Sequence, residues 1–266
     1  MKKYFILAFA VLLSTFAAQA APSTLALPTN GPMIHITPLL HASFQIEHGE
    51  TVIQVDPTKS GNAMHPKMAD LILITDIHGD HFDEAAMRAV DSNKTLVVAP
   101  QAVIAQMKSF QGRIIRLDNG STKNNLPGFP NVSIEAIPMY NIERGPNAGQ
   151  KFHAKGRGNG YVLTLGNTRL YIAGDTEATP EMKALKNIDV AFVPMNLPFT
   201  MTPEEAAQGV GAFKPRIAIP YHYRYPFDKE NNHAQQFQMA LGNSKIEVSL
   251  LDWYPKTAIE AASQKQ

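Results

Sequence analysis

The stretch DLILITDIHGDHFD at residues 70–83 constrains the fold more than any other part of the chain. Its first six residues are short and mostly apolar, the pattern of a strand covered on both faces. Directly behind them, Asp76, His78, Asp80 and His81 put two carboxylates and two imidazoles into six positions. On a tight loop, with Gly79 allowing an unusual turn, the four side chains can converge on one point. Such crowding is costly without a cation, because like charges repel and hydration is lost. The bland alternative is a solvated polar loop. Against it stands the location, the end of an apolar strand, where open α/β sheets place their sites.

The rest of the chain supplies compatible elements. Strands are expected at 33–38, 43–47 and 51–55, as a meander, and then at 70–75. Helices at 83–90 and 101–110 flank a strand at 95–99, and another short strand covers 113–117. A turn-rich stretch at 119–131 separates these from an alternating strand at 132–138. The segment 141–159 is long and polar, with four glycines and one proline, and loops of that kind are often functional. A hairpin follows, 161–165 and 169–173, around Gly166 and Asn167. Pro180 after Thr179 and Pro203 after Thr202 mark helix starts. Buried strands at 189–194 and 216–221, a helix at 232–241 and a strand at 246–251 complete the order. A meander followed by strand–helix alternation thus occurs twice. Two sheets covered by helices in one domain is the simplest packing of those elements.

Composition bounds the partners. The 266 residues suffice for one large domain, and 44% hydrophobic with 18% charged content is ordinary for a globular protein. A formal net charge of +1 and the lack of basic runs make nucleic acid a poor guess as partner. Residues 1–20 have Lys2 and Lys3, an apolar run, and a small-residue site at Ala18 and Ala20, which reads as a signal peptide. Export to the periplasm or medium is therefore expected, with no stable membrane insertion after cleavage; the alternative is an uncleaved anchor. Residues 21–32 then form an extended arm, 33–255 the domain and 256–266 a C-terminal tail. With no cysteine, neither disulfide nor thiolate is available. A metal would be held by imidazole and carboxylate, a set that suits zinc, manganese or iron.

The motif Asp76-x-His78-x-Asp80-His81 resembles the metallo-β-lactamase superfamily, whose hallmark is His-x-His-x-Asp-His after a strand. Asp76 stands where that hallmark has its first His. Later landmarks fit the same resemblance: His153 in the long loop, Asp175 in YIAGDT, and His222 in PYHYR after a strand. The resemblance extends from about residue 34 to 251, and within the superfamily it is nearest the branch containing the ascorbate-6-phosphate lactonase-like proteins. It implies an α/β fold, a four-layer αβ/βα sandwich of two mixed sheets flanked by helices. It also implies two divalent metal ions, zinc first and manganese or iron next. Asp76, His78 and His153 would hold one ion and Asp80, His81 and His222 the other, with Asp175 bridging. Asp80 and Asp175 would be the catalytic carboxylates.

The function this implies is hydrolysis of an ester, lactone, phosphoester or amide bond by a metal-bound hydroxide. The substrate would be a small molecule, and Lys155, Arg157 and Arg224 are candidates to bind an anionic group on it. Each is equally readable as a solvated loop charge. The substitution at Asp76 hardens the first position, favouring manganese or iron there, or leaving it weak. Asp56, closing the strand before Pro57, either supports the ligands from behind or ends the strand in a turn. His41 either faces the pocket or makes a structural hydrogen bond. His35, His48, His65 and His233 read as surface residues. The competing class is a non-catalytic periplasmic metal- or ligand-binding protein that has kept the fold.

Overall fold

A computed structural model describes residues 24–264, so the expected signal sequence lies outside the described residues. The first half forms β1 (Leu25–Leu27), β2 (Ile34–Leu40), β3 (Ser43–His48), β4 (Thr51–Val55), β5 (Ala69–Leu73), β6 (Asp91–Ala99) and β7 (Ile114–Arg116). Helices α1 (Glu84–Ala89) and α2 (Gln101–Ile104) lie between the last three strands. The second half forms β8 (Thr122–Leu126), β9 (Phe129–Met139), β10 (Gly158–Leu165), β11 (Thr168–Ile172), β12 (Val190–Pro194), β13 (Ile217–Tyr221) and β14 (Glu247–Val248). With them run α3 (Pro180–Lys183), α4 (Pro203–Phe213), α5 (His233–Leu241) and α6 (Lys256–Ser263).

Each half makes one seven-stranded sheet, in sequence order. In both sheets the first three pairings are antiparallel and the last three parallel. The repeated meander-then-alternation pattern of the sequence is this repeated topology. Strands buried on both faces, such as Val190–Pro194 and Ile217–Tyr221, are buried at every position. Between the sheets, Phe44 and Phe192 stack with centroids 4.5 Å apart, and Trp253 meets them edge-on at 5.6 and 6.3 Å. Each such fully buried side chain contributes about 1.5–3 kcal/mol of transfer free energy. Outside, Met87 and Val103 cover Ile72 and Val97 of the first sheet, while Met182, Val210 and Phe237 cover Ala191 and Val193 of the second. The layers are therefore αβ/βα.

Several boundaries differ from the sequence reading, each for a local reason. The helix expected over 101–110 stops at Ile104, because the backbone amides of Lys108 and Ser109 donate to the Glu84 carboxylate instead of to the preceding turn. The stretch 119–131 is not only turns. It holds the edge strand β8, whose Thr122, Lys123 and Asn124 are exposed and give no apolar alternation, and the start of β9. The expected strand at 246–251 shrinks to Glu247–Val248. Part of the expected arm pairs as β1 with β2, and part of the expected tail forms α6 with Ala258 buried.

Candidate metal centre

The clustered residues sit where strands stop. Asp56 follows β4, Asp76 to His81 follow β5, Asp175 comes three residues after β11 and His222 directly after β13. His41 lies in the turn between β2 and β3, and His153 in the loop between β9 and β10. His41, Asp56 and His222 all adopt left-handed backbone, with φ of 58°, 44° and 50°. That conformation is uncommon for residues with a side chain and tends to cluster at functional sites. Gly79, by contrast, is not among the positive-φ glycines, and a Cβ there would meet nothing within 4 Å. The turn is made instead by the amides of His81 and Phe82, both donating to the His78 carbonyl at 2.9 and 2.7 Å. The close approach is at Gly158, where a Cβ would lie 2.1 Å from Met139 Cε and 2.7 Å from the Thr75 carbonyl oxygen.

Asp175 is the hub. His153 Nε2 and His81 Nε2 lie 3.0 and 3.2 Å from its Oδ2, and His222 Nε2 lies 3.4 Å from its Oδ1. Asp80 approaches from the other side, with Oδ2 3.3 Å from His222 Nε2 and Oδ1 4.0 Å from His81 Nε2. The orientation of two of these imidazoles is fixed from behind. The Nδ1 of His81 lies 2.8 Å from Asp56 Oδ2, and Asp56 is itself held by the amide and hydroxyl of Thr75 at 2.8 and 2.6 Å. Asn141 Oδ1 accepts from the His153 backbone amide at 2.7 Å and from its Nδ1 at 2.8 Å. Both rings therefore turn Nε2 toward Asp175, the arrangement that ligating histidines use.

The electrostatics match a cation site. Burial alone would raise the Asp175 and Asp80 carboxyls, but the neighbouring imidazoles outweigh it and hold both well below the usual range. Burial would lower His81, yet Asp175, Asp80 and Asp56 push it well above. His81 Nε2, Asp175 Oδ1 and His222 Nε2 are buried without a hydrogen-bond partner. Buried polar atoms are normally satisfied, so these converging atoms are what a bound ion would complete. His81, Asp175 and His222 form one ligand-spaced group, His41, Asp80 and His222 a second that shares His222 with it, and Asp76, His78 and His153 a third. The residues around Asp175 fit a divalent ion. Those around Asp76 are close together, but the Asp76 carboxylate is bound by Arg157, at 3.0 Å from Nε and 2.6 Å from Nη2.

His41 belongs to the site in a different capacity. The Tyr254 hydroxyl accepts from the amides of Tyr223 and Arg224 at 2.9 and 2.8 Å, which uses both its lone pairs. Its own proton then points to His41 Nδ1, 2.9 Å away. Burial, with the nearby His222 adding to it, lowers His41 to about 4, so the ring is neutral and carries its proton on Nε2. That atom faces Asp80 Oδ2 at 3.5 Å and is buried without a hydrogen-bond partner, as are the Nε2 atoms of His81 and His222.

The three candidate substrate cations are placed as follows. Lys155 pairs with Glu181 at 2.5 Å and lies over the Tyr140 ring, Arg157 pairs with Asp76, and Arg224 lies over the Tyr254 ring. A cavity of about 500 Å³ opens over the cluster, walled by Phe152, Phe199, Pro146 and Tyr225, with Lys151 and Asn196 as polar wall groups. Lys151, Asn141 and Glu177 were not legible from sequence. Glu177 ties down the loop that carries His153 by accepting from the amides of Ile142, Glu143 and Arg144 and from the Asn141 side chain.

Comparison with known proteins shows the family and the fold. The family described as the beta-lactamase superfamily domain matches residues 35–222. A UPF0173 metal-dependent hydrolase of Thermococcus kodakarensis is 32% identical over 229 residues, covering 82% of this chain and 96% of the relative. A crystal structure of a candidate metal-dependent hydrolase from Parabacteroides distasonis superposes with a TM-score of 0.76 at 37% identity, covering 86% of this chain and 98% of that one. A metallo hydrolase from Ignicoccus hospitalis, at 21% identity and a TM-score of 0.67 over 82% of this chain and 94% of its own, shares the fold.

Proposed function

The chain belongs to the metallo-β-lactamase superfamily, in the UPF0173 family of metal-dependent hydrolases, and on that premise we propose that it cleaves an ester, lactone, phosphoester or amide bond of a small, anionic substrate. The observation that carries this reading is the set of buried, unpartnered ligand atoms around Asp175, opening onto a cavity of about 500 Å³. That volume suits a small molecule and not a polymer chain. Asp80, His81, Asp175 and His222 would hold a divalent ion, with zinc the first candidate and manganese or iron the others. Such an ion supplies a positive charge for a developing oxyanion and lowers the pKa of water to about 7.

The chain's own groups do the rest. Asp80, 38% exposed and kept ionised by its histidine neighbours, faces the cavity and is placed to accept a hydrogen bond from the attacking water. His41 Nε2 faces that carboxylate at 3.5 Å. Asp175 keeps the imidazoles of His81, His153 and His222 facing inward. The Phe152 and Phe199 rings, in edge contact at 5.1 Å, keep solvent from the apolar part of the substrate. Lys151 draws in its anionic group. Lactones carrying such a group fall within this class. Export guided by residues 1–20 is part of the proposal, with no nucleic acid as partner. No helix of the described residues is long and apolar enough to cross a membrane.

The test is a panel of lactones, phosphodiesters, thioesters and β-lactams, run on metal-loaded protein with zinc and with manganese. Turnover that Asp175→Ala abolishes, in a variant that still folds, is the expected result. Tight metal binding with no turnover of any class would favour the binding-protein alternative. Protein that cannot be loaded with metal at all would overturn the reading.

A further inference from the structure

Asp76 is fully buried, and one guanidinium takes both of its oxygens. Arg157 Nε donates to Oδ1 at 3.0 Å and Nη2 to Oδ2 at 2.6 Å, the two-pronged geometry that locks both groups into one plane. Nη1 of the same side chain donates to the Phe152 carbonyl at 2.8 Å, so all three guanidinium nitrogens are engaged. His78 is occupied on both sides as well: Nδ1 lies 3.2 Å from Asp76 Oδ2, and Nε2 lies 3.4 Å from Arg157 Nη2. The arrangement is built into the backbone. Arg157 is aimed by the turn that closes with its amide on the Ala154 carbonyl, and Gly158 leaves room that a Cβ, 3.2 Å from Asp76 Oδ1, would fill.

A divalent ion between Asp76, His78 and His153 would sit about 2.0–2.2 Å from those same atoms. It would share Asp76 with a fixed positive charge and face it at short range, where repulsion is poorly screened. The position around Asp175 has no such competitor. Among the described residues no guanidinium or ammonium pairs with Asp80 or Asp175, and the Nε2 atoms of His41, His81 and His222 beside them are buried without hydrogen-bond partners.

We propose that the Asp76–Arg157 pair replaces the first metal position, so that the protein holds one divalent ion, at Asp80, His81, Asp175 and His222. The guanidinium carries the second positive charge of the site. His78 and His153 then serve as hydrogen-bonding groups at the cavity wall, where His78 is 42% exposed. The inference rests on the metal-centre reading above.

The experiment counts metal. The purified protein is stripped with a chelator, reloaded with excess manganese or zinc, desalted and analysed by elemental mass spectrometry, with the electron paramagnetic resonance of the manganese form recorded in parallel. One equivalent per chain and an isolated-ion spectrum are expected. The double variant Asp76→His with Arg157→Gln, which removes the competing cation and supplies an imidazole, is expected to take two. Two equivalents or a spin-coupled pair in the unaltered protein would overturn the inference and leave the hydrolase reading standing. No metal in the unaltered protein would overturn both. A folded double variant that still binds one ion would overturn the assignment of the pair as the cause. If that variant does not fold, the count and spectrum of the unaltered protein decide alone.

Discussion

Replacing Glu177 by Gln should loosen the loop that carries His153 while leaving the sheets intact. The carboxylate is 5% exposed and accepts four hydrogen bonds: from Arg144 N at 2.8 Å and Asn141 Nδ2 at 3.1 Å on Oε1, and from Ile142 N at 3.0 Å and Glu143 N at 2.9 Å on Oε2. A glutamine amide can keep only one of these pairs. Its NH₂ faces the other two donors in either orientation, and each buried unsatisfied donor costs about 1–3 kcal/mol. Relaxation of the loop toward solvent recovers part of that, so a local loss of about 2–3 kcal/mol is expected. At about 1.4 kcal/mol per tenfold, exchange of the amide protons of Ile142, Glu143 and Arg144 should accelerate roughly 30- to 150-fold. Core amides of β12 should change far less. The effect carries a pH signature. Burial would raise the Glu177 carboxyl, but the donated amides outweigh it and hold it below the ordinary value of 4.5. When the loop opens, the group binds a proton more readily than when it is closed, so the contribution is complete above pH 4.5. It is lost as pH falls through the lower, folded-state value. Hydrogen exchange at several pH values measures both. Unchanged protection of these three amides in Glu177→Gln at neutral pH would refute the reasoning.

Other positions give shorter tests. Asp56→Asn removes the charged acceptor behind His81 Nδ1 and should weaken metal binding about 10- to 100-fold by equilibrium dialysis; equal affinity would show that the ring needs no such support. Gly158→Ala should cost about 1–3 kcal/mol in thermal or urea unfolding, because Met139 can move but the Thr75 carbonyl cannot, whereas Gly79→Ala should stay within about 0.5 kcal/mol. Tyr254→Phe strips the acceptor from two backbone amides and the donor from His41 Nδ1, so a loss of about 2–4 kcal/mol and a changed His41 tautomer in ¹⁵N spectra are expected.

What the sequence discloses is what is local. The strand into Thr75 and the ligand loop behind it are contiguous, so their placement could be read from residues 70–83 alone. The doubled order of strands could be read too, because each half contains its own meander and alternation. The Asp76–Arg157 pair could not, since 81 positions separate its partners and either residue alone reads as an ordinary ligand or loop charge. Glu177 and Asn141 escaped for the same reason: a carboxylate accepting backbone amides has no sequence pattern. Strand β8 was hidden because an edge strand exposed on both faces carries no apolar alternation. Gly79 looks in the sequence like the turn residue, yet the amides of His81 and Phe82 make that turn, while Gly158, among other glycines in a polar stretch, gives no sign of the carbonyl packed against it.

The precision of the site comes from the core beneath it. Left-handed backbone at His41, Asp56 and His222 costs on the order of 1–3 kcal/mol each and persists only where the surroundings over-determine it. Tyr221 shows how that is done. Its ring is buried between the sheets against Trp253 and Phe192, and its hydroxyl, 2.9 Å from the Gly174 amide, fixes the residue before Asp175. The next residue in its own chain is His222. One core side chain thus sets the spacing of two ligands that lie 47 positions apart in sequence. His222 is held again from the first sheet, its amide donating to the His41 carbonyl at 3.3 Å, with the two imidazoles stacked at 3.7 Å. Neither sheet alone could hold the cluster. Asp80 and His81 belong to the first, Asp175 and His222 to the second, and the interdigitated aromatic layer between them keeps His222 within ligand distance of both carboxylates.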